Sequence, residues 1–187
     1  KCCDANKVMV VKNAIDFDRF RPDCAVTDPL KDLLGLRGKF VIGHVGRFTF
    51  AKNHEFLLKI FKEISEIRKD AVLLLVGDGE LSREIHESVK QKGLEDRVIF
   101  AGRVSNPEVY YRLVDVIVMP SVFEGLPLTT IESQIAGVPA VVSQAIPSEA
   151  VISDGVVRLS LKDSNWVDTV LSMADKPVTL NADSKEY

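Results

Sequence analysis

The stretch Lys39–Val76, KFVIGHVGRFTFAKNHEFLLKIFKEISEIRKDAVLLLV, decides the fold. It opens on the unbroken apolar run FVIGHV and closes on AVLLLV. Runs of that length without polar alternation fit strands buried on both faces, as a parallel sheet requires. Between them Phe56, Leu57, Ile60, Phe61 and Ile64 recur at helical spacing. Strand, helix and strand in that order make a βαβ unit, whose right-handed crossover lays the second strand parallel to the first.

Outward from this unit the pattern repeats. KVMVV at 7–11, RVIFAG at 97–102, DVIVMP at 115–120 and PAVVS at 139–143 read as further strands, and Leu81, Ile85 and Val89 form a narrower i, i+4, i+8 stripe. The expectation is an α/β fold: a Rossmann-like, doubly wound parallel sheet with ligands outside the carboxyl ends of its strands. Asp16 to Pro29, containing FDRFRPD, reads as an irregular connection. From Asp163 onward the chain reads as a helix around Trp166, which packs, followed by a polar tail that frays.

With 187 residues, 46% hydrophobic and 27% charged, the chain can bury one sizeable core, so residues 1–187 are expected to form a single domain. A net charge of -3, with both signs interspersed, gives no general attraction to nucleic acid or anionic lipid. Cys2, Cys3 and Cys24 crowd one end without CxxC spacing or a nearby histidine pair, which fits a reducing, cytoplasmic setting and no metal centre. No apolar run approaches the roughly 20 residues of a membrane span, and no signal segment opens the chain. It begins at Lys1 and enters a strand almost at once, so it reads as a piece whose missing neighbour holds part of any active site.

Chemistry is expected at the strand ends. Gly46 and Arg47 end the first strand of the quoted unit, and Lys52 stands just before its helix. Two cations beside free helix N–H groups suit a diphosphate, Arg47 as a fork and Lys52 as a point charge; solvated loop charges would look the same. GHVGRF lacks the full GxGxxG of a dinucleotide site, Asp78 lies too far on to serve as its ribose acid, and no Walker loop surrounds Lys52. In VGDGE, Gly77 and Gly79 would let backbone approach a ligand, although turn geometry explains them equally well. Asn106 and Pro107 read as cap and first-turn residues, while Gly102 to Val104 border a base.

In SVFEGLPLTTIESQIAGVPAVV, at 121–142, Glu124 leaves a strand and Glu132 lies on a helix that starts near Thr129. Carboxylates on either side of an anion-ready helix end suit hydroxyl groups, which suggests sugar recognition. A glycosidase pair would also use two carboxylates, yet hydrolysis leaves Arg47 and Lys52 without a role. The bland alternative is that Glu132 serves the helix dipole from its first turn and Glu124 is merely exposed. His44 reads as a core or edge histidine, His54 opens a helix and His86 lies beside Glu87 on another; no ligand set emerges.

Taken together, VGRFTFAKN, LLLVGDGE, VIFAGRV and the 121–143 stretch resemble the carboxyl-terminal domain of a retaining glycosyltransferase of family 4, with the GT-B fold. The resemblance runs from about Val8 to Ser160, and its most specific element is E-x7-E, met by Glu124 and Glu132. It implies that Arg47, Lys52 and Glu124 act at the reacting end: the two cations neutralise the leaving diphosphate, and Glu124 contacts the donor sugar. It further implies that Glu132 holds the ribose, that backbone N–H groups of Leu128 and Thr129 meet a phosphate or sugar oxygen, that Gly46 and Gly125 allow close approach, and that Arg103 borders the base. The donor implied is a nucleotide-diphosphate sugar, UDP-linked or GDP-linked, without a metal. The acceptor would be a glycan or lipid-linked hydroxyl bound through an amino-terminal domain that this chain lacks, with peripheral membrane contact at the inner face belonging to the whole enzyme. SQAIPSEAVISDGVVRLSL replaces the glycine-rich loop of many members and resembles a subgroup of bacterial exopolysaccharide synthesis. The isolated piece is expected to turn over little or nothing. A GT-B nucleotide-sugar epimerase and a non-catalytic nucleotide-sugar-binding module remain as alternatives.

Overall fold

A computed structural model of the chain describes residues 14–21, 28–174 and 176–181. The strand expected at KVMVV, the three cysteines and the last residues of the tail lie outside them. The described residues contain a six-stranded, all-parallel sheet: β1 (Phe40–Val45), β2 (Ala71–Val76), β3 (Val98–Gly102), β4 (Val116–Met119), β5 (Ala140–Ser143) and β6 (Val156–Leu159), in the order β3-β2-β1-β4-β5-β6. The α/β, Rossmann-like expectation therefore holds, and the order reverses between β1 and β4.

The continuous apolar runs serve two cores at once. In β2, Leu73 and Leu75 join Leu57, Phe61 and Ile64 of α3 (His54–Ile67), Ile85 and Val89 of α4 (Ser82–Gln91), and Trp166 and Val170 of α7 (Trp166–Met173). Their neighbours Val72, Leu74 and Val76 point the other way, to Tyr111 of α5 (Pro107–Tyr111) and Ile131 and Ile135 of α6 (Leu128–Ile135). Side chains alternate across a strand, so an all-apolar run is what a sheet covered on both faces needs. Trp166 is buried, packs edge-on against Phe56 and donates Nε1–H to Ser160 O at 2.8 Å.

Three elements depart from expectation. Residues 17–20 are not irregular: Asp16 Oδ1 accepts from Arg19 N and starts the short helix α1 (Phe17–Phe20), followed by α2 (Asp28–Leu33). β6 completes the sheet from VVRL, which has no long apolar run because an edge strand is buried on fewer sides. The stretch at 176–181 is tied down where Leu180 pairs antiparallel with Ser153. Among the described residues no helix is long and apolar enough to cross a membrane.

Candidate functional site

The reversal between β1 and β4 opens a crevice between the two loops that leave those strands, because crossovers on either side run in opposite directions. One loop carries Gly46, Arg47 and Lys52; the other runs from Pro120 to Pro127 and carries Glu124. They meet directly. Lys52 Nζ donates to Glu124 Oε1 at 2.7 Å, with both side chains largely buried, and Ser121 Oγ donates to the same oxygen at 2.7 Å. Val122 N donates to Ala51 O at 2.8 Å, tying the loops together along the backbone.

Lys52 reaches Glu124 because of what precedes α3. A 3-10 turn, Phe50–Lys52, ends in Asn53, whose backbone is left-handed at φ 55 and whose Nδ2 donates to Pro120 O at 3.1 Å. Asparagine tolerates that conformation better than most residues. The Lys52 stem then lies against Gly46, where a Cβ would come within 3.2 Å of Cε.

Beneath this pair sit two buried imidazoles. His44 Nδ1 lies 2.9 Å from Val118 O, an acceptor, so Nδ1 carries the hydrogen and Nε2 is left as an unpartnered acceptor. His54 packs edge-on to His44 at 4.7 Å and to Phe48 at 4.6 Å, with neither ring nitrogen partnered among the described residues. Burial, which penalises the imidazolium, lowers the pKa of His44 to about 4 and that of His54 to about 2. The floor of the site is thus polar but uncharged.

A cavity of about 610 Å³ opens over the ends of β1, β2 and β3, lined by Gly46, Arg47, Gly77, Asp78, Arg103 and Pro107 among others. Arg47 is three-quarters exposed and pairs with Glu80 at 3.3 Å; Arg103, also exposed, lines the cavity as well. The glycines beneath have a different purpose from ligand approach. A Cβ on Gly77 would fall 1.9 Å from Gly46 O, and one on Gly79 would fall 2.4 Å from Phe48 O. They let the β2 loop pack against the backbone of the β1 loop, which sets the cavity floor. Gly125 is unhindered, with nothing within 4 Å of a Cβ.

Glu132 stands apart from the first turn of α6, which holds no acid, so it does not serve that helix dipole as an end residue. Its Oε2 accepts the Tyr111 hydroxyl at 2.7 Å. Burial raises its pKa, opposed by that hydrogen bond and by the Arg19 charge, while Glu108 adds to the rise. Leu128 and Thr129 form the first turn, whose N–H groups have no side-chain cap. Asn106 occupies the N-cap position of α5 without making a side-chain cap bond, contrary to its expected role. Pro107 at the next position supplies the helix start instead, since its fixed φ suits that place. Sequence reading missed Tyr111, Arg19 and the contact between His44 and His54, because each meets its partner through the fold and not through a local pattern.

Residues 30–175 match the family model described as Glycosyl transferases group 1. EpsF of Bacillus subtilis (strain 168), a glycosyltransferase by name, is 37% identical over 175 residues, covering 91% of this chain and 46% of its own. The Escherichia coli UDP-Gal:alpha-D-GlcNAc-diphosphoundecaprenol alpha-1,3-galactosyltransferase is 31% identical over 97% of this chain and 49% of its own. The chain thus spans about half the length of these relatives. Among solved structures, Anabaena Alr3699/HepE in complex with UDP-glucose superposes with a TM-score of 0.79 at 22% identity, over 92% of this chain and 49% of that one. The carboxyl-terminal domain of the Francisella tularensis glycosyl transferase group 1 protein LpcC gives 0.71 at 20% identity, over 87% and 89%.

Proposed function

Because the chain belongs to the glycosyl transferases group 1 family, we propose that it is the carboxyl-terminal, donor-binding domain of a retaining family 4 glycosyltransferase. The observation that carries this reading is the Lys52–Glu124 pair at the sheet reversal, beside a cavity walled by Arg47 and Arg103. The donor is a nucleotide-diphosphate sugar, with UDP favoured by the UDP and UDP-glucose complexes of a protein of the same fold. The acceptor is a hydroxyl of a growing glycan, free or lipid-linked, in keeping with the diphosphoundecaprenol-linked sugar in the name of the Escherichia coli relative.

In this reading the nucleoside lies in the cavity toward Arg103 and Pro107, and Glu132 accepts hydrogen bonds from the ribose hydroxyls. The diphosphate lies between Arg47 and Lys52, with the uncapped N–H groups at Leu128 and Thr129 turned toward its distal end. Gly46 and Gly125 leave room for the sugar, whose hydroxyls Glu124 receives. The bond between the anomeric carbon and the diphosphate oxygen breaks with its electron pair passing to that oxygen. The acceptor oxygen bonds to the same face of the carbon, and its proton passes to the departing phosphate, which gives retention. Arg47 and Lys52 stabilise the charge that develops on the leaving group, the task a divalent metal performs elsewhere.

Titrating the chain with UDP, GDP and ADP by saturation-transfer NMR tests this directly. One nucleotide should bind, with the response lost on Arg47→Ala and Glu132→Ala; a folded sample silent to all three at millimolar concentration would refute it.

A further inference from the structure

We infer that Tyr111 is a positioning residue for Glu132, and that through it α5 sets the preference of the site for a ribose over a deoxyribose; the inference rests on the donor-site reading above. Tyr111 is fully buried as the last residue of α5, with its ring edge-on to Phe20 of α1 at 5.9 Å. Its hydroxyl reaches polar atoms of α6. It lies 2.7 Å from Glu132 Oε2 and 3.3 Å from Thr129 O. A phenol has one hydrogen to donate, and the shorter, charged acceptor takes it.

Burial, and then the adjacent Glu132 charge, raise the Tyr111 pKa well above its ordinary value, so the phenol keeps the hydrogen that it gives to the carboxylate. One carboxylate oxygen of Glu132, Oε2, is therefore held from within the fold, which restricts the rotation of the whole carboxylate. A vicinal diol needs an acceptor whose direction is set before it arrives, because a freely rotating carboxylate gives up rotamer entropy on binding.

A second group acts on Glu132 through its charge. Arg19, delivered by α1, donates to Ser105 O at 3.1 Å and pairs with Glu108 at 2.9 Å, and its charge reaches Glu132. Ser105 and Glu108 flank Val104 and Pro107, which line the cavity. Tyr111 by a hydrogen bond and Arg19 by its charge thus act on one acid, and Arg19 is itself anchored to the segment that borders the cavity. A carboxylate that only filled space on the α6 surface would need neither.

The test is calorimetric titration of the whole chain, wild type, Tyr111→Phe and Glu132→Gln, with UDP and with 2′-deoxy-UDP and 3′-deoxy-UDP. The wild type should prefer UDP by about tenfold, as one charged hydrogen bond allows, and both variants should lose most of that preference while retaining their affinity for the deoxy nucleotides. A purely structural Tyr111 would lower stability and leave the preference intact. If Glu132→Gln loses the preference and Tyr111→Phe keeps it, the inference falls and the ribose role of Glu132 stands; if neither variant moves it, that role and the inference fall together while nucleotide binding stands; if no nucleotide binds, the donor-site reading falls with them. Should Tyr111→Phe not fold, the Tyr111 hydroxyl proton of the wild type can be followed by NMR. It should persist and shift with UDP and shift less with 2′-deoxy-UDP; its disappearance on UDP binding would overturn the inference.

Discussion

Acid should weaken this fold well before its carboxylates protonate, through the imidazole pair under the site. His44 is held at about 4 and His54 at about 2, against an ordinary 6.5, in each case chiefly by burial. Between those values and 6.5 the unfolded chain binds protons that the native chain refuses, so stability is fully present above 6.5 and is lost as pH falls below it. Each unit of displacement corresponds to about 1.36 kcal/mol. Going from about pH 7.5 to about pH 5 therefore costs ~2 kcal/mol for each ring, and less than ~4 kcal/mol for the two together, because part of the His54 depression comes from His44 itself. Glu132, raised by burial, acts in the opposite direction and trims the total. The assay is urea unfolding followed by the fluorescence of Trp166, the single tryptophan and a buried one. His54→Phe isolates the effect: the ring stays wedged between His44 and Phe48 and two unpartnered nitrogens are removed. That variant should equal or exceed the wild type at about pH 7.5 and lose ~2 kcal/mol less on acidification. A wild type that loses under ~1 kcal/mol over this range, or a variant that loses as much as the wild type, would refute the reasoning.

Gly77→Ala should cost ~3 kcal/mol or more and abolish nucleotide binding, since its Cβ collides with Gly46 O and must push the β1 loop out of the cavity floor; thermal melts and titration with UDP check both. Lys52→Ala and Arg47→Ala should separate stability from binding. The first strands a largely buried Glu124 and should cost ~1–3 kcal/mol, whereas the second removes a mostly exposed side chain and should stay within ~0.5 kcal/mol; both should weaken UDP binding in the same titration. Gln134→Ala should cost ~2–4 kcal/mol in urea unfolding. Its buried amide bonds Thr130 O, Ala150 O, Ile152 N and Ser153 Oγ, and so fastens the helix bearing Glu132 to the chain that leads into β6.

Five of the six described strands and the helices α3, α4, α6 and α7 were legible from apolar runs and helical spacing, because burial on two faces or along one stripe writes itself into neighbouring residues. α1 was not, being a single turn too short to show a period, and neither was β6, an edge strand whose pattern is mixed. The site residues split in the same way. Arg47, Lys52, Glu124 and Glu132 were recognisable as residue types suited to anions and hydroxyls, and E-x7-E lies within one local strand–loop–helix unit, whereas Gly46 and Arg103 were named through the family resemblance.

What the sequence determined by itself was the alternation of strand and helix, the two-faced burial of the strands and the placing of charges at their carboxyl ends, since each depends only on near neighbours. Tertiary structure decided which of those charges meet. Lys52 and Glu124 are joined across 72 positions, and His44 and Val118 across 74, only because β4 lies beside β1. Strand order also brought Gly77 against Gly46 and turned a glycine suited to ligand approach into one required by backbone packing. The pairing of distant loops follows from the handedness of crossovers and the closure of two cores, and those are properties of the whole chain folded at once.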